Sequence, residues 1–162
     1  VAGLVAASAW RRAFILNRDL LTLRLGFIHY LPFAALLAVA WFTPAVLGAL
    51  FWAGAAVAAA AGVLYVATLA AFVRAGPGLN TRGVYRWSRN PMYVAASAAF
   101  AGFTLMAWGA SARMGLLALI VTLALLVTDH AVVEREEAFL EERYGDAYRA
   151  YKARVPRYFG FF

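Results

Sequence analysis

Cysteine is missing from this chain, which excludes disulfides, thiolate metal sites and cysteine nucleophiles. Charge is scarce: 14% of the 162 residues are charged against 65% hydrophobic, and the mean hydropathy is +0.73. An ordinary soluble domain carries more charge than this, so the composition reads as one membrane domain. With 2 histidines and no cysteine, a metal shell has too few ligands to close, and no metal is expected. Lysine occurs once against fourteen arginines, and alanine is abundant, which points to a GC-rich prokaryotic source. The net charge of +7 does not indicate nucleic acid. Its basic residues flank apolar runs instead of forming a stripe, so anionic headgroups and topology account for them. Val1 to Ala9 are apolar, but Arg11 and Arg12 follow too soon for a span, and the order is not that of a signal peptide.

Long apolar runs are what the chain does have. Leu25–Phe42, Ala45–Val73, Pro91–Ala110 and Met114–Val133 each approach or exceed the ~20 residues a helix needs to cross a bilayer core. The second would extend roughly 43 Å, so it must tilt or project. Thr43-Pro44 and Gly109–Arg113 make short connections, and each pair of spans is expected to form an antiparallel hairpin. Arginines cluster before span one, between spans two and three and after span four, with only Arg113 on the other side. The positive-inside bias then puts both termini and the central loop in the cytoplasm, in an integral protein of a prokaryotic cytoplasmic membrane. Gly54, Ala58 and Gly62 recur every fourth residue, a pattern for close helix approach. The expected fold is all-α and polytopic: one domain over 1–162, with an interfacial helix at 1–22, four spans in 23–133, and a cytoplasmic tail with a short helix in 134–162. Gly145 marks the break before that last helix.

Polar residues in such a chain need reasons. Asp129 and His130 fall inside the last turns of span four, where an ionisable group is costly. His130, Glu134, Glu137 and Glu141 share one helical face, and five of the 8 acidic residues lie in 134–142. Glu141 and Glu142 read as solvated charge. Glu136 and Glu137 sit near the membrane exit with the central-loop arginines as possible neighbours, and such a pair can grip ammonium and hydroxyl groups of a polar ligand. His29 reads as a hydrogen-bonded packing residue. The loop at 75–83 is rich in turn formers, and its glycines Gly76, Gly78 and Gly83 let backbone approach a ligand. Pro91 opens span three, whose first N–H groups could hold an anion.

Gly83, Tyr85, Arg89, Asn90, Pro91 and Tyr93, followed after two spans by Glu136-Glu137, Tyr144-Gly145, Tyr148, Tyr151 and Val155-Pro156-Arg157, resemble the isoprenylcysteine carboxyl methyltransferase family and its relatives the phospholipid N-methyltransferases. The resemblance covers about residues 45–158. It implies S-adenosyl-L-methionine as methyl donor, held by Gly78, Leu79, Asn80, Tyr85, Asn90, Pro91, Met92, Tyr93, Glu136 and Glu137. It further implies a lipophilic or prenylated acceptor, reached from the membrane lipids through a tunnel between spans. Two positions depart from the pattern. Asn90 replaces the usual His, which keeps hydrogen bonding and loses titration. Val132 stands where the carboxyl methyltransferases carry an Arg near the substrate carboxylate.

The expected reaction is in-line methyl transfer, carboxyl O-methylation first and lipid amine N-methylation as the alternative. A carboxylate acceptor needs no base. An amine must lose a proton, with His130, Asp129 and Glu134 as acceptors. His130, Glu134 and Arg89 are the catalytic candidates. A nicotinamide-dependent membrane reductase and a non-catalytic membrane protein are the readings of other classes.

Overall fold

The computed structural model describes residues 20–75 and 78–159, with side chains from residue 28 onward. The expected interfacial helix at 1–22 and Gly76 lie largely or wholly outside the described residues. Among the described residues the structure is all-helical: α1 (Leu20–Phe42), α2 (Ala49–Arg74), α3 (Pro91–Ala110), α4 (Ala112–Tyr144) and α5 (Asp146–Lys152), with one 3-10 turn at Gly83–Arg86. Three helices, α2, α3 and α4, are long and apolar enough to cross a membrane. The described apolar part of α1, Ile28–Phe42, is shorter than that.

The helix boundaries have local causes. Thr43 closes α1 by donating its hydroxyl to Val39 O at 2.6 Å, and Pro44 keeps the residue before it out of helical geometry. The chain stays irregular to Gly48, so α2 starts at Ala49 and not at the expected Ala45. Pro91 begins α3, where a missing N–H costs nothing. Ser111 alone links α3 to α4, ending one and capping the other by accepting from Met114 N at 3.2 Å. Gly145, at φ +51°, adopts a backbone that L side chains rarely take, and α5 turns back from there.

The packing has the character of a bilayer protein. Many buried positions are small or polar, among them Ala61, Thr68, Ala95, Ala107 and Ala118, beside a few larger ones such as Phe100 and Leu125. Large apolar side chains point outward, among them Leu37, Trp41, Val63, Val66, Ile120 and Val127. Lipid supplies no hydrophobic force between helices, so close approach has to come from small residues. At the α2–α3 crossing, a Cβ on Gly102 would lie 2.6 Å from Gly54 O and 2.9 Å from Ala58 N. Gly54 and Ala58 therefore meet the expected close approach. Gly62 does not: a Cβ there meets nothing within 4 Å, because Gly62 borders a cavity.

The helices are ordered in space α2–α3–α4–α1. Neighbours along that order are antiparallel: α2 meets α3 at Gly54–Gly102 and Leu50–Gly109, and α3 meets α4 at Thr104–Thr122 and Trp108–Gly115. The helix α1 runs alongside α3 through His29–Tyr93 and Phe33–Phe100, hence opposite to α4. The short α1–α2 connection does not yield a packed hairpin. Among the described residues α1 packs on α4 and barely touches α2. Between α1 and α2 lies the cavity.

Candidate functional site

The antiparallel order brings the start of α3, the end of α2 and the last third of α4 to one end of the molecule. The loop from Gly78 to Asn90 and the tail after α5 close that end. Asn80 stitches the loop to α2, donating from Nδ2 to Ala71 O at 3.1 Å and accepting from Arg82 N at 3.1 Å. Tyr148, Tyr151 and Val155 form a buried cluster with Leu79, Leu140 and Tyr144 against it, and this cluster pins the tail under the loop. Tyr151 donates its hydroxyl to Tyr85 O at 2.7 Å. Burial pushes the phenols of Tyr148 and Tyr151 well above the usual tyrosine range.

Above that cluster is a buried ionic centre on Glu137, which is only 3% exposed. Its Oε1 accepts from Asn90 Nδ2 at 3.0 Å and lies 3.4 Å from Arg89 Nε. Its Oε2 accepts from Arg157 Nε at 3.2 Å and is 3.1 Å from Arg157 Nη2. A carboxylate removed from water is tolerated because two guanidinium groups and an amide surround it. Burial depresses the Arg157 pKa, but Glu137 and Glu134 raise it by more, so that guanidinium stays charged. The backbone locks the same point: Arg89 N donates to Pro156 O at 2.9 Å, and Ser88 Oγ donates to Arg157 O at 3.0 Å. Residues 156–157 thus lie across the start of α3.

Glu136, one residue earlier, faces differently. It accepts from the Tyr93 hydroxyl at 2.8 Å. Tyr93 is also a wall of the cavity, which measures about 430 Å³ and is bounded by all four long helices. That volume lies in the range of ligand pockets. Its lining is apolar and aromatic (Tyr30, Phe33, Tyr65, Met92, Phe100) except for His29 and Asp129. His29 Nδ1 stands 3.1 Å from Asp129 Oδ1, both side chains almost fully buried. The two atoms are not aligned as a hydrogen bond, and neither Asp129 oxygen has a hydrogen-bond partner among the described residues.

The sequence-derived candidates separate into groups. Arg89, Asn90, Glu137 and the buried Pro91 make the ionic centre. Glu136 and Tyr93 connect it to the cavity, and Met92 lines the cavity itself. Gly78, at φ +146°, Leu79, Asn80 and Tyr85 build the loop over the tail. His130 and Glu134 pair at 3.4 Å on an outer face, about half exposed, with Tyr158 OH 3.3 Å from His130 Nδ1. Neither lines the cavity. Ser88 and Arg157 belong to the ionic centre without having been singled out as site residues. The Val-Pro-Arg ending was the only trace of Arg157. The pairing of His29 with Asp129, a hundred positions apart, left no trace at all.

Residues 41–147 match the model of the phospholipid methyltransferase family. The match does not distinguish the isoprenylcysteine carboxyl methyltransferase branch that the motifs resemble. Comparison with curated proteins and with solved structures gives no match. Because the family match runs from the end of α1 into α5, well over half the chain, this protein belongs to the phospholipid methyltransferase family of membrane methyltransferases.

Proposed function

We propose that the protein transfers a methyl group from S-adenosyl-L-methionine to the amine of a membrane-dissolved lipid. The observation that carries the choice of acceptor is the cavity beside Glu136 and Tyr93: it contains a carboxylate and no arginine or lysine. A carboxylate acceptor would meet the Asp129 carboxylate with no arginine or lysine in the cavity to offset it, and Val132, where the carboxyl enzymes place an Arg, is buried and apolar. A cationic or neutral amine is stabilised by the same carboxylate and by the aromatic faces around it.

The donor set at the polar end suits this methyl donor. Glu136 can take an ammonium or ribose hydroxyls, Arg89 and Arg157 a carboxylate, and the turns at Gly78 and Gly83 allow backbone close to the ligand. When bound, S-adenosyl-L-methionine supplies an electrophilic methyl group on a sulfonium. Glu137, already engaged by Asn90, Arg89 and Arg157, acts as a positioning residue that holds the wall of the site. Tyr93 sets the Glu136 carboxylate and borders the acceptor cavity, so it stands where the two ligands meet. The helix α1, 23 residues long, serves as a fourth span of roughly 34 Å. The polar end faces the cytoplasm, in agreement with the arginine distribution.

The test is transfer of a labelled methyl group from the donor into a lipid extract, followed by mild alkali. An N-methyl label stays on the non-volatile amine headgroup even where alkali removes the acyl chains, whereas a methyl ester releases it as volatile methanol. Volatile label would replace this reading with carboxyl methylation. Glu136→Ala should weaken donor binding by at least about tenfold, the value of one charge-assisted hydrogen bond. Unchanged donor affinity would remove Glu136 from the site.

A further inference from the structure

We propose that His29 and Asp129 form the proton-accepting pair of the acceptor site, so that α1 contributes a catalytic residue and is not only a packing helix. This rests on the amine-methylating reading above. Three observations converge on the pair. Both side chains are buried, and both line the cavity. Asp129 is an ionisable group about 10 Å deeper along α4 than Glu136, a depth at which lone charge is expensive and usually functional. Its two oxygens find no hydrogen-bond donor among the described residues, although Asn90 and the arginines satisfy the nearby Glu137. A buried carboxylate left in this state is complementary to a donor that arrives with a ligand, and an ammonium is such a donor.

The geometry assigns the roles. Nδ1 of His29 is turned toward Asp129, so Nε2 is the ring nitrogen left to take a proton. Asp129, 3.1 Å from Nδ1 without a hydrogen bond to it, places a carboxylate beside the ring that receives the proton. The ammonium N–H bond breaks and the proton passes to His29, leaving a lone pair on the amine. That pair forms the new N–C bond to the methyl group as the C–S bond breaks and its electrons stay on sulfur. One proton leaves per methyl transferred, and His29 returns it to water. His130 and Glu134 are less suited to this step, since they face outward with Tyr158. Where α1 and α2 part, the cavity adjoins the lipid-facing side, and the acyl chains of the acceptor can lie there.

The test uses the whole protein in mixed vesicles of phosphatidylglycerol and phosphatidylethanolamine, with His29→Gln and Asp129→Asn. Methyl transfer at neutral pH should fall by at least about a hundredfold in each, the range for loss of a general base. Donor affinity, titrated directly, should not change. The titratable groups facing His29 are Asp129 from α4, Tyr93 from α3, Tyr65 from α2 and Tyr30 on its own helix. Raising the pH deprotonates the lipid amine without help, so the deficit of His29→Gln should narrow while the wild-type rate levels off. Transfer at the wild-type rate with an unchanged pH profile overturns the proposal and leaves the methyltransferase reading standing. Loss of donor binding together with transfer marks the pair as structural and also overturns it. No transfer to the amine by the wild-type protein overturns the reading beneath it.

Discussion

Tyr148 and Tyr151 are neighbours in one buried cluster with opposite hydrogen-bond accounts. Tyr151 donates to Tyr85 O, whereas the Tyr148 hydroxyl is buried with no partner among the described residues. Removing the first deletes a hydrogen bond, at a cost of about 0.5–1.5 kcal/mol. Removing the second deletes a group already desolvated for nothing. Tyr151→Phe should therefore lower the thermal midpoint in detergent, and Tyr148→Phe should leave it unchanged or raise it. Equal losses in the two would show that the Tyr148 hydroxyl is satisfied after all. Glu136 and Glu137 make the same point. Adjacent in sequence and identical in chemistry, they differ because one helical step of 100° turns Glu137 into the ionic centre and Glu136 toward Tyr93.

Among the elements, the α2–α3 crossing and the docking of the tail each give a measurable expectation. A Cβ on Gly54 would sit 2.7 Å from Met106 Cγ and closer still to Gly102 O, so Gly54→Ala must push the helices apart. Overpacking of this kind costs about 1–3 kcal/mol. Gly62→Ala, facing open space, should cost nothing in the same thermal assay. Tail docking is expected to weaken in alkali. Burial raises both Tyr148 and Tyr151 above the ordinary value of 10.0, so their docked form favours the neutral phenol. That contribution is complete below the unfolded value and is lost as pH climbs past 10.0 toward the raised values. Phenolate absorbance should then show three late-titrating tyrosines, Tyr148, Tyr151 and Tyr158, which burial also raises, with protease access to the tail appearing in the same range. Titration of all tyrosines together near the ordinary value would mean that the tail is not docked.

For the whole molecule, the absence of cysteine makes topology directly measurable. Single cysteines at Ser111 and Ala153 should react with an impermeant maleimide from opposite sides, Ser111 from outside the cell and Ala153 only after lysis. Labelling of both from one side would break the four-span arrangement. Much of this protein was legible in its residues alone: apolar runs, short links and arginine placement carry the helical membrane class, because the bilayer imposes length and polarity on each segment separately. The ionic centre was half legible, since Arg89, Asn90 and Glu137 stand out where a polar loop and a charged helix end adjoin apolar runs. Arg157 completes it through a tail whose course no local pattern records. The partnering of α1 was not legible. A short link suggested that α1 would pair with α2, yet α1 lies on α4, joined by His29 and Asp129, and the space it leaves beside α2 is the cavity. Segment length and polarity are local properties, written residue by residue. Which helix faces which depends on where small residues, buried ions and voids fit together across the bundle, and only the folded chain settles that.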